Sequence, residues 1–514
     1  LITSRTSIPH LSNAEFGLIL NTILMQKLLF ISILFYLANS ASAAVWNVGS
    51  DKTYKKPSEV ASLVNNGDTV YIDSGLYLDD ACKWNKSGLK LIGIVTDDSR
   101  PIIRYTGYIP NGKGIWVFES PGISDDIYIA NLVFEGARVT DNQGGNGAGI
   151  RFQANNLTIR NCVFRNCQNG ILEGHNAVKS SNVSILACEF DNNGYSGYEH
   201  HIYINASTDT LLIEGCYFHD PRGEANSVKT RAQNAFILYN YIDEADGNGS
   251  YEINIAQGGN NIIMGNVIIQ GKAGANHAIV GYDDDINPIE DFYFVNNTVI
   301  NYFPGNVRYF HISPIGIDRF KIFNNIFSSV PNASVTFISG NVPPAMDTAG
   351  NIFSKNFPDP WFKDVDGADF SLNEMAADIV NTGIDAGFDQ YGFALIPTMS
   401  FVSLAEGLSI RTIQGGRIDP GAYEYTPKSH TYSSFKTVNA FPNPTNSFFT
   451  IPVNSLTFRS IKIYDYLGNS FSNYTIREDK DAVVIELFSA KSGLYFVNID
   501  CGNTTVMAKV LILN

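Results

Sequence analysis

The chain has 514 residues, of which 44% are apolar, and it carries a formal net charge of −15. This length and apolar content allow a large core and suggest two or three domains. The acidic balance argues against a general affinity for nucleic acid. The six cysteines form no CxxC pair, which argues against a zinc ribbon or a redox motif.

The first 43 residues have the pattern of an export signal. Gln26 and Lys27 precede an apolar run at 28–37, and the small residues of 41–43 then form a cleavage pattern. A membrane anchor is the alternative, but Gln26 and Lys27 divide the apolar stretch into halves that are too short to span a bilayer. We therefore predict an upstream extension plus signal peptide over 1–43.

One pattern recurs through the middle of the chain: two alternating apolar residues, then Asn, then a large apolar residue three positions later. Its copies read IYIANLVF at 127–134, LTIRNCVF at 157–164, VSILACEF at 183–190, LIEGCYF at 212–218, FILYNYI at 236–242, IIMGNVII at 262–269, FYFVNNTV at 292–299 and FKIFNNIF at 320–327. The alternation has a period of two and the copies follow one another at intervals of 25–30 residues. This combination predicts a solenoid of stacked β-strands and excludes helical repeats.

Equivalent positions of successive coils are expected to stack on one another. The Asn position falls at 131, 161, 187 (Ala), 215 (Gly), 240, 266, 296 and 324, which predicts a ladder of side-chain amides. An internal aromatic stack is predicted for Phe134, Phe164, Phe190, Phe218 and Phe327. One register position holds Cys162, Cys188 and Cys216. Packed free thiols are predicted there, with a disulfide as the alternative.

These coils resemble the right-handed parallel β-helix superfamily of pectate lyases, chondroitinase B-type and alginate lyases, and polygalacturonases. The segment PSEVASLVNNGDTVYIDSGLY at 57–77 is similar to the usual entry of that fold, a short capping helix followed by the first strand. The resemblance implies an all-β, right-handed parallel β-helix. We expect the cap and first coils over 44–125 and the core of the helix over 126–360.

The remaining residues divide into a tail with a linker and a final segment with its own motifs. Residues 361–425 lose the coil period and resemble the covering tail of secreted bacterial β-helices, and 426–437 read as a linker. Residues 438–514 contain FPNP at 441–444, IKIYD at 461–465, LGN at 467–469 and SGLYFV at 492–497. This series resembles the C-terminal sorting domain of the type IX secretion system of Bacteroidota. It implies a small β-sandwich, recognition by that machinery, and delivery to the cell surface or the medium.

The repeat register also predicts a polar patch. Counting forward from each Asn-equivalent position places three rows of side chains on adjacent coils: Glu199, His201 and Tyr203; Ser227, Lys229 and Arg231; Glu252 and Asn254. The residues between them are largely apolar and must face the core, so the three rows should face solvent about 4.8 Å apart. His200 falls at an inward position, and Tyr282 continues the patch on the next coil.

This combination of residues suits β-elimination on a uronic acid polymer, which needs a cation, a base and an acid. Arg231 would hold the carboxylate, because its fork matches two oxygens. Lys229 would be the base, with a pKa lowered by Arg231. His201 or Tyr203 would protonate the leaving oxygen or exchange roles with Lys229. The predicted substrate contacts are Glu199, Glu252, Asn254 and Tyr282.

The segment EANSVKTRAQN at 224–234 resembles the "E--SVKS--N" motif of the alginate and chondroitin lyases. The resemblance implies that Lys229 is the base and that Glu224 is a calcium ligand. The usual acidic partner of this ligand is replaced by Arg222. The family's second catalytic arginine would fall near 250–252, where the sequence reads SYE.

Two other functions fit the same patch. Glu199 and Glu252 would lie about 9.6 Å apart along the axis, at the upper limit for an inverting glycoside hydrolase, whose two carboxyl groups are about 6.5–9.5 Å apart. A non-catalytic glycan-binding or adhesive protein needs only exposed aromatic and polar groups. In each case we expect a monomer whose partner is an extracellular, anionic polysaccharide and not a nucleic acid.

Overall fold

The computed structural model describes residues 43–513 except 120–122, 175–180, 245–246, 284–285, 314–315, 427–435, 454–459, 467, 480–481 and 501–504. The predicted signal peptide therefore lies outside the described residues, as does most of the predicted linker. The described chain is a parallel β-helix followed by a small β-sandwich, which confirms the predicted fold class. Among the described residues, no helix combines the length and the apolar character that crossing a bilayer requires.

Each complete coil of the β-helix contributes one strand to each of three parallel sheets, which have twelve, ten and eleven strands. The first sheet contains Val45–Val48, Thr69–Ile72, Lys90–Gly93, Ile127–Ala130, Leu157–Arg160, Ser181–Leu186, Thr208–Glu214, Asn234–Leu238, Gly259–Met264, Glu290–Val295, Arg319–Phe323 and Met346–Ala349. The second sheet contains Cys82–Lys83, Gly114–Glu119, Ala148–Gln153, Asn169–Glu173, Ile202–Ile204, Val228–Thr230, Ile253–Ile255, Ala278–Tyr282, Asn306–Ile312 and Ser334–Gly340. The third sheet contains Leu76–Leu78, Ile102–Arg104, Val133–Glu135, Val163–Arg165, Glu189–Asp191, Tyr217–His219, Tyr241–Asp243, Val267–Gln270, Thr298–Asn301, Ile326–Ser329 and Ile352–Ser354.

In the core of the β-helix, residues of the same type stack on one another in successive coils. Phe134, Phe164, Phe190 and Phe218 are parallel, with ring centroids 5.3, 5.1 and 4.8 Å apart along the stack. Burial removes these side chains from water, and the offset stacking adds a smaller aromatic contribution. The predicted aromatic stack is thus confirmed for these four residues. Phe327 has the same register but is separated from them by Ile242, Ile268 and Val299, and it stacks on Phe353 instead. The three stacked cysteines are buried free thiols, which confirms that prediction as well.

The amide ladder lies one residue away from part of its predicted register. Its members are Asn240, Asn266, Asn297, Asn325 and Asn351. The last four each accept a hydrogen bond from the side-chain amide of the preceding member, and Asn240 accepts one from the backbone N–H of Cys216. The residue just before each of them has a positive φ, as at Gly265 and Asn296. The predicted positions 296 and 324 are therefore turn residues, since one left-handed residue is needed to turn the strand at each coil.

Short elements cover the entry of the β-helix and the outer face of its third sheet. The helix Pro57–Ala61 lies at the entry, with Val60 and Ala61 buried. After the last coil, the tail forms two hairpins, Phe362–Asp364 with Asp369–Leu372 and Met399–Ser403 with Gly407–Ile410. Two 3₁₀ turns, Asp141–Gln143 and Glu374–Ala376, complete the helical elements of the described chain. The tail packs apolar side chains against the third sheet and so covers that face.

The final sandwich has two sheets. One contains Lys436–Thr437, Ser460–Asp465, Ser470–Phe471, Gly493–Asp500 and Thr505–Ile512, and the other contains Phe448–Pro452, Tyr474–Asp479 and Ala482–Leu487. The sandwich has its own core, in which Phe449, Ile463 and Val497 are fully buried. It also contacts the first sheet of the β-helix, where Lys509 pairs with Glu214.

Candidate functional site

The outer face of the second sheet carries a row of polar side chains on adjacent coils. Tyr203 is aligned with Lys229, and Lys229 is aligned with Asn254. Their strand neighbours point into the core, because alternate residues of a strand face opposite sides. Arg231 follows Lys229 by two positions, just past the end of the same strand. The structure therefore brings together four of the predicted site residues.

Two cations lie against one aromatic ring in this row. Lys229 Nζ is 5.4 Å from the centroid of the Tyr203 ring, and the central carbon of the Arg231 guanidinium is 5.6 Å from the same centroid. All three side chains are half-buried. A cation within about 6 Å of a ring face is attracted by its quadrupole, so the three groups hold one another in place.

The surroundings of Lys229 and Tyr203 shift the pKa values of these two groups in opposite directions. Burial lowers the pKa of Lys229, and the positive charge of Arg231 lowers it further. Burial raises the pKa of Tyr203 against the opposing effect of Arg231, and the buried carboxyl of Glu173 adds to the rise. Among the described residues, no carboxylate lies within ion-pair distance of Lys229. The lysine is thus pushed toward its neutral form and the tyrosine keeps its proton.

Beyond Lys229, the row continues through Asn254 to Gly281 on the next strand. Asn254 donates a 2.7 Å hydrogen bond to Asp283, which is exposed. Asn254 itself is buried, as is Ser227, so the prediction that these two side chains face solvent is wrong. A Cβ on Gly281 would lie 2.9 Å from the ring of Tyr251 and 3.0 Å from the amide nitrogen of Asn254. Only glycine therefore lets both side chains lie over this strand.

The predicted surface position of His201 is wrong. Its side chain is fully buried, with its ring centroid 6.3 Å from that of Phe190 and 6.2 Å from that of Phe218. Burial lowers the pKa of His201 to about 3. The alternation used in the prediction does not apply to this residue, because the strand begins only at Ile202.

The neighbouring histidine lies closer to the row than predicted. The His200 ring centroid is 5.7 Å from that of Tyr203, and burial together with Lys229 lowers the pKa of His200 to about 3. Its Nδ1 accepts a 3.1 Å hydrogen bond from the backbone N–H of Asn226. His200 is therefore a neutral imidazole beside the row. Sequence reasoning missed it because residues of a bend do not alternate.

The predicted surface positions of three further residues are also wrong. Glu199 is buried and accepts hydrogen bonds from the backbone and hydroxyl of Ser196. Glu252 is buried at the turn before its strand. Tyr282 is a core residue whose hydroxyl donates to Glu290. The two glutamates precede strands and Tyr282 is aligned with the inward residues of its neighbours, so none of them joins the outer row.

Two places in the described chain bear on metal binding. Glu224, the predicted calcium ligand, is exposed in a turn, and Arg222 two residues before it is half-buried. On the outer face of the third sheet, His219 lies with Asp191 and Asp220, and atoms of the three are within 4.8 Å of one another. Burial would lower the pKa of His219, but hydrogen bonds to Glu189 and Asp220 outweigh it and raise the value to about 9. A protonated imidazole is an ion-pair partner and not a metal ligand.

Comparison with known proteins identifies the last part of the chain. Residues 439–513 match the family model described as Secretion system C-terminal sorting domain. This match confirms the predicted sorting domain, and the protein is exported by type IX secretion to the cell surface or the extracellular space. No curated protein matches the chain in sequence.

Three solved structures resemble the chain at 11% identity each. One is a PL6 family polysaccharide lyase from Pseudopedobacter saltans, with 61% of this chain and 93% of that chain covered and a TM-score of 0.25. The others are an Acinetobacter phage tailspike protein (91% and 78%, TM-score 0.23) and the PL6 family alginate lyase AlyGC (76% and 60%, TM-score 0.21). Similarity at this level does not carry a function from one protein to another.

Proposed function

We propose that the protein is a secreted polysaccharide lyase that cleaves a uronic acid-containing polysaccharide by β-elimination on the outer face of the second sheet. One observation carries the proposal: Lys229 and Arg231 both lie within 6 Å of the Tyr203 ring, on a sheet of ten parallel strands. A cation, a base and an acid are the three groups that this reaction requires.

Each group has one role in the proposed reaction. The guanidinium of Arg231 binds the uronate carboxylate and stabilises the negative charge that develops on it. The neutral amine of Lys229 takes the proton from C5. The electron pair of that C–H bond forms the C4–C5 double bond, and the C4–O bond to the next sugar breaks. Tyr203 donates its phenolic proton to the departing oxygen, and proton exchange with solvent restores both side chains.

The surroundings of the row support this division of roles. Lys229 has a lowered pKa and no carboxylate within ion-pair distance among the described residues, so a neutral amine is accessible. Tyr203 has a raised pKa and remains a proton donor. Asp283, which is exposed and accepts a hydrogen bond from the buried Asn254, is placed to hydrogen-bond the hydroxyl groups of a bound sugar. The buried positions of Glu199 and Glu252 do not support the hydrolase alternative.

The test is the product released from alginate, polygalacturonate and chondroitin by the purified protein. We expect the ultraviolet absorbance of a new unsaturated uronide with at least one of these polymers. Lys229→Ala should lower the rate by about 10²–10⁴-fold, the range lost with a general base. Lys272→Ala is the matched control, since Lys272 is an exposed lysine in a turn between strands.

Three outcomes would contradict the proposal. Unchanged activity in Lys229→Ala would remove the lysine from the reaction. New reducing ends without the unsaturated product would indicate a hydrolase. Binding without any product would indicate a glycan-binding protein.

A further inference from the structure

A buried polar cluster lies at the corner between the third and second sheets. Glu244 and Gln270 are aligned at the ends of adjacent third-sheet strands, and Glu252 is just before the strand Ile253–Ile255. Their relative exposures are 2%, 0% and 2%. Buried carboxylates are rare unless they are paired with a cation.

The polar side-chain atoms of this cluster lack a cationic partner. Both amide atoms of Gln270 are buried without any hydrogen bond, and both carboxyl oxygens of Glu252 and Oε1 of Glu244 are buried with no partner besides the interaction between the two carboxyl groups. The remaining oxygen of Glu244 accepts a 2.8 Å hydrogen bond from the N–H of Gly271. Over the described ranges, no lysine, arginine or histidine forms an ion pair with either glutamate. Unpaired buried groups of this kind each cost free energy, so the cluster calls for a partner that the chain does not supply.

Two glycines keep the space around the carboxyl groups open. A Cβ on Gly274 would lie 2.7 and 2.8 Å from the two carboxyl oxygens of Glu244 and 3.0 Å from the amide nitrogen of Gln270. A Cβ on Gly249 would lie 3.0 Å from Oε1 of Glu244. Any larger residue at these positions would press on the carboxyl group, so the turns are shaped around it.

We propose that Glu244, Glu252 and Gln270 bind a divalent cation, calcium by preference. A divalent ion neutralises both buried carboxylates and takes the amide oxygen as a further ligand, which gives the orphaned oxygens a partner at once. The donors are all oxygens, and this set favours a hard cation over zinc or copper. Water or carbonyl groups of the surrounding turns complete the coordination.

The cation would connect two parts of the same corner. It would tie the ends of the third-sheet strands to the residue that begins the strand of Asn254. Asn254 itself belongs to the outer row, two residues after Glu252. The ion therefore acts on the stability of this corner and takes no part in the proposed proton transfers.

The test uses the full-length chain and measures binding and stability, so its result does not depend on catalytic activity. After dialysis, we expect elemental analysis to find about one calcium ion per chain. In protein stripped with a chelator, calcium at a hundred times its dissociation constant should raise the unfolding midpoint by about 3–5 °C. Absence of both effects would overturn the proposal.

Variants locate the effect. Glu252→Gln keeps the shape but removes one charge, so calcium should no longer raise the midpoint. Glu224→Gln and Asp220→Asn change the other acidic candidates and should leave the calcium response intact. Loss of the response in either control, with Glu252→Gln unaffected, would place the ion elsewhere.

A shared proton between the two glutamates is the competing explanation. It predicts that the wild type binds no calcium and that Glu252→Gln is as stable as the wild type, and either result would overturn the cation site. If Glu252→Gln fails to fold, Gln270→Met serves in its place. Removal of the amide oxygen should weaken calcium binding about tenfold or more, and unchanged affinity would exclude Gln270 from the site.

Discussion

Two lysines in the described part of the chain lie beside a tyrosine ring, in very different settings. Lys229 Nζ is 5.4 Å from the ring centroid of Tyr203 on the open second sheet, and Lys509 Nζ is 4.3 Å from that of Tyr239 beneath the sorting domain. Lys509 is paired with Glu214 and nearly inaccessible to solvent. Lys229 is half-buried, and burial and the charge of Arg231 lower its pKa against the opposing charge of Asp283.

The comparison shows how a carboxylate partner changes the protonation of a lysine beside a tyrosine ring. At the sorting domain, burial lowers the pKa of Lys509, and the ion pair with Glu214 opposes this effect, so that Glu214, Lys509 and Tyr239 form a structural clamp. On the second sheet, a second cation takes the place of the carboxylate and destabilises the ammonium form. A lysine that is structural in one setting is therefore available as a base in the other.

The largest effect expected from this comparison is at the clamp. Glu214→Gln leaves the Lys509 ammonium buried without a counter-charge, which should cost about 3–5 kcal/mol. The measurement is urea denaturation of the full-length protein, followed at the sorting domain. The double variant Glu214→Gln with Lys509→Met should recover much of the loss, since it removes the stranded charge.

Lys229→Met is the matched control for the clamp. Lys229 has no ion pair to lose among the described residues and loses only its contact with the Tyr203 ring, so this variant should change stability by about 1 kcal/mol or less. Equal losses from Glu214→Gln and Lys229→Met would mean that the two lysines do not differ as the structure indicates.

The next effect is on the pH dependence of activity. Arg231→Gln removes the neighbouring positive charge, so the pKa of Lys229 should rise. The amine must be neutral to act as a base, and activity should therefore require a pH about one unit higher than in the wild type. The rate at neutral pH should fall about 10–100-fold, because the carboxylate contact is lost as well.

Arg151→Gln is the control for this shift. Arg151 belongs to the same outer row as Lys229 but lies three strands earlier. Its substitution therefore removes one positive charge at a greater distance from Lys229. The rate profile should keep its position on the pH axis in this variant. A profile that moves equally in both variants would indicate a general surface-charge effect.

The smallest effect concerns a third cation that does have carboxylate partners. The pKa of His219 is raised from 6.5 to about 9 in the folded protein. Its contribution to stability is therefore fully present below pH 6.5 and is lost as the pH rises through 9. Wild type should exceed His219→Gln by about 1–2 kcal/mol at pH 6 and lose this advantage by pH 10. A constant difference in thermal unfolding across this range would contradict the ion-pair role.

The fold was predictable because the residue at each core position must pack on the equivalent residue of the next coil. Each inward residue must match its counterpart one coil away, so Phe164 and Phe190 follow from the repeat alone. The positive-φ turn residue explains the one-residue error in the ladder. Asn and Gly favour that conformation, and an Asn at 296 therefore resembled a ladder member.

The outer row was only partly predictable, because it depends on turn lengths. Lys229 and Asn254 were placed in one row and are aligned in the structure. Tyr203 was placed beside Arg231 but is aligned with Lys229. The path from the turn residue to the second sheet is 16 residues long from Ala187 and 14 from Gly215. No pattern in the sequence marks which turn residues bulge outward, so burial at Glu199, His201 and Glu252 could not be foreseen.

The pairing of the strands also sets how the protein responds to force. Every strand of the β-helix pairs only with its counterparts in neighbouring coils, so its hydrogen bonds run along the long axis, and the ladder from Asn240 to Asn351 runs the same way. Tension along the axis pulls directly on the hydrogen bonds between successive coils, whereas a load across the axis is shared by whole sheets. The β-helix should therefore lose coils from its ends under axial tension and resist shear across its middle.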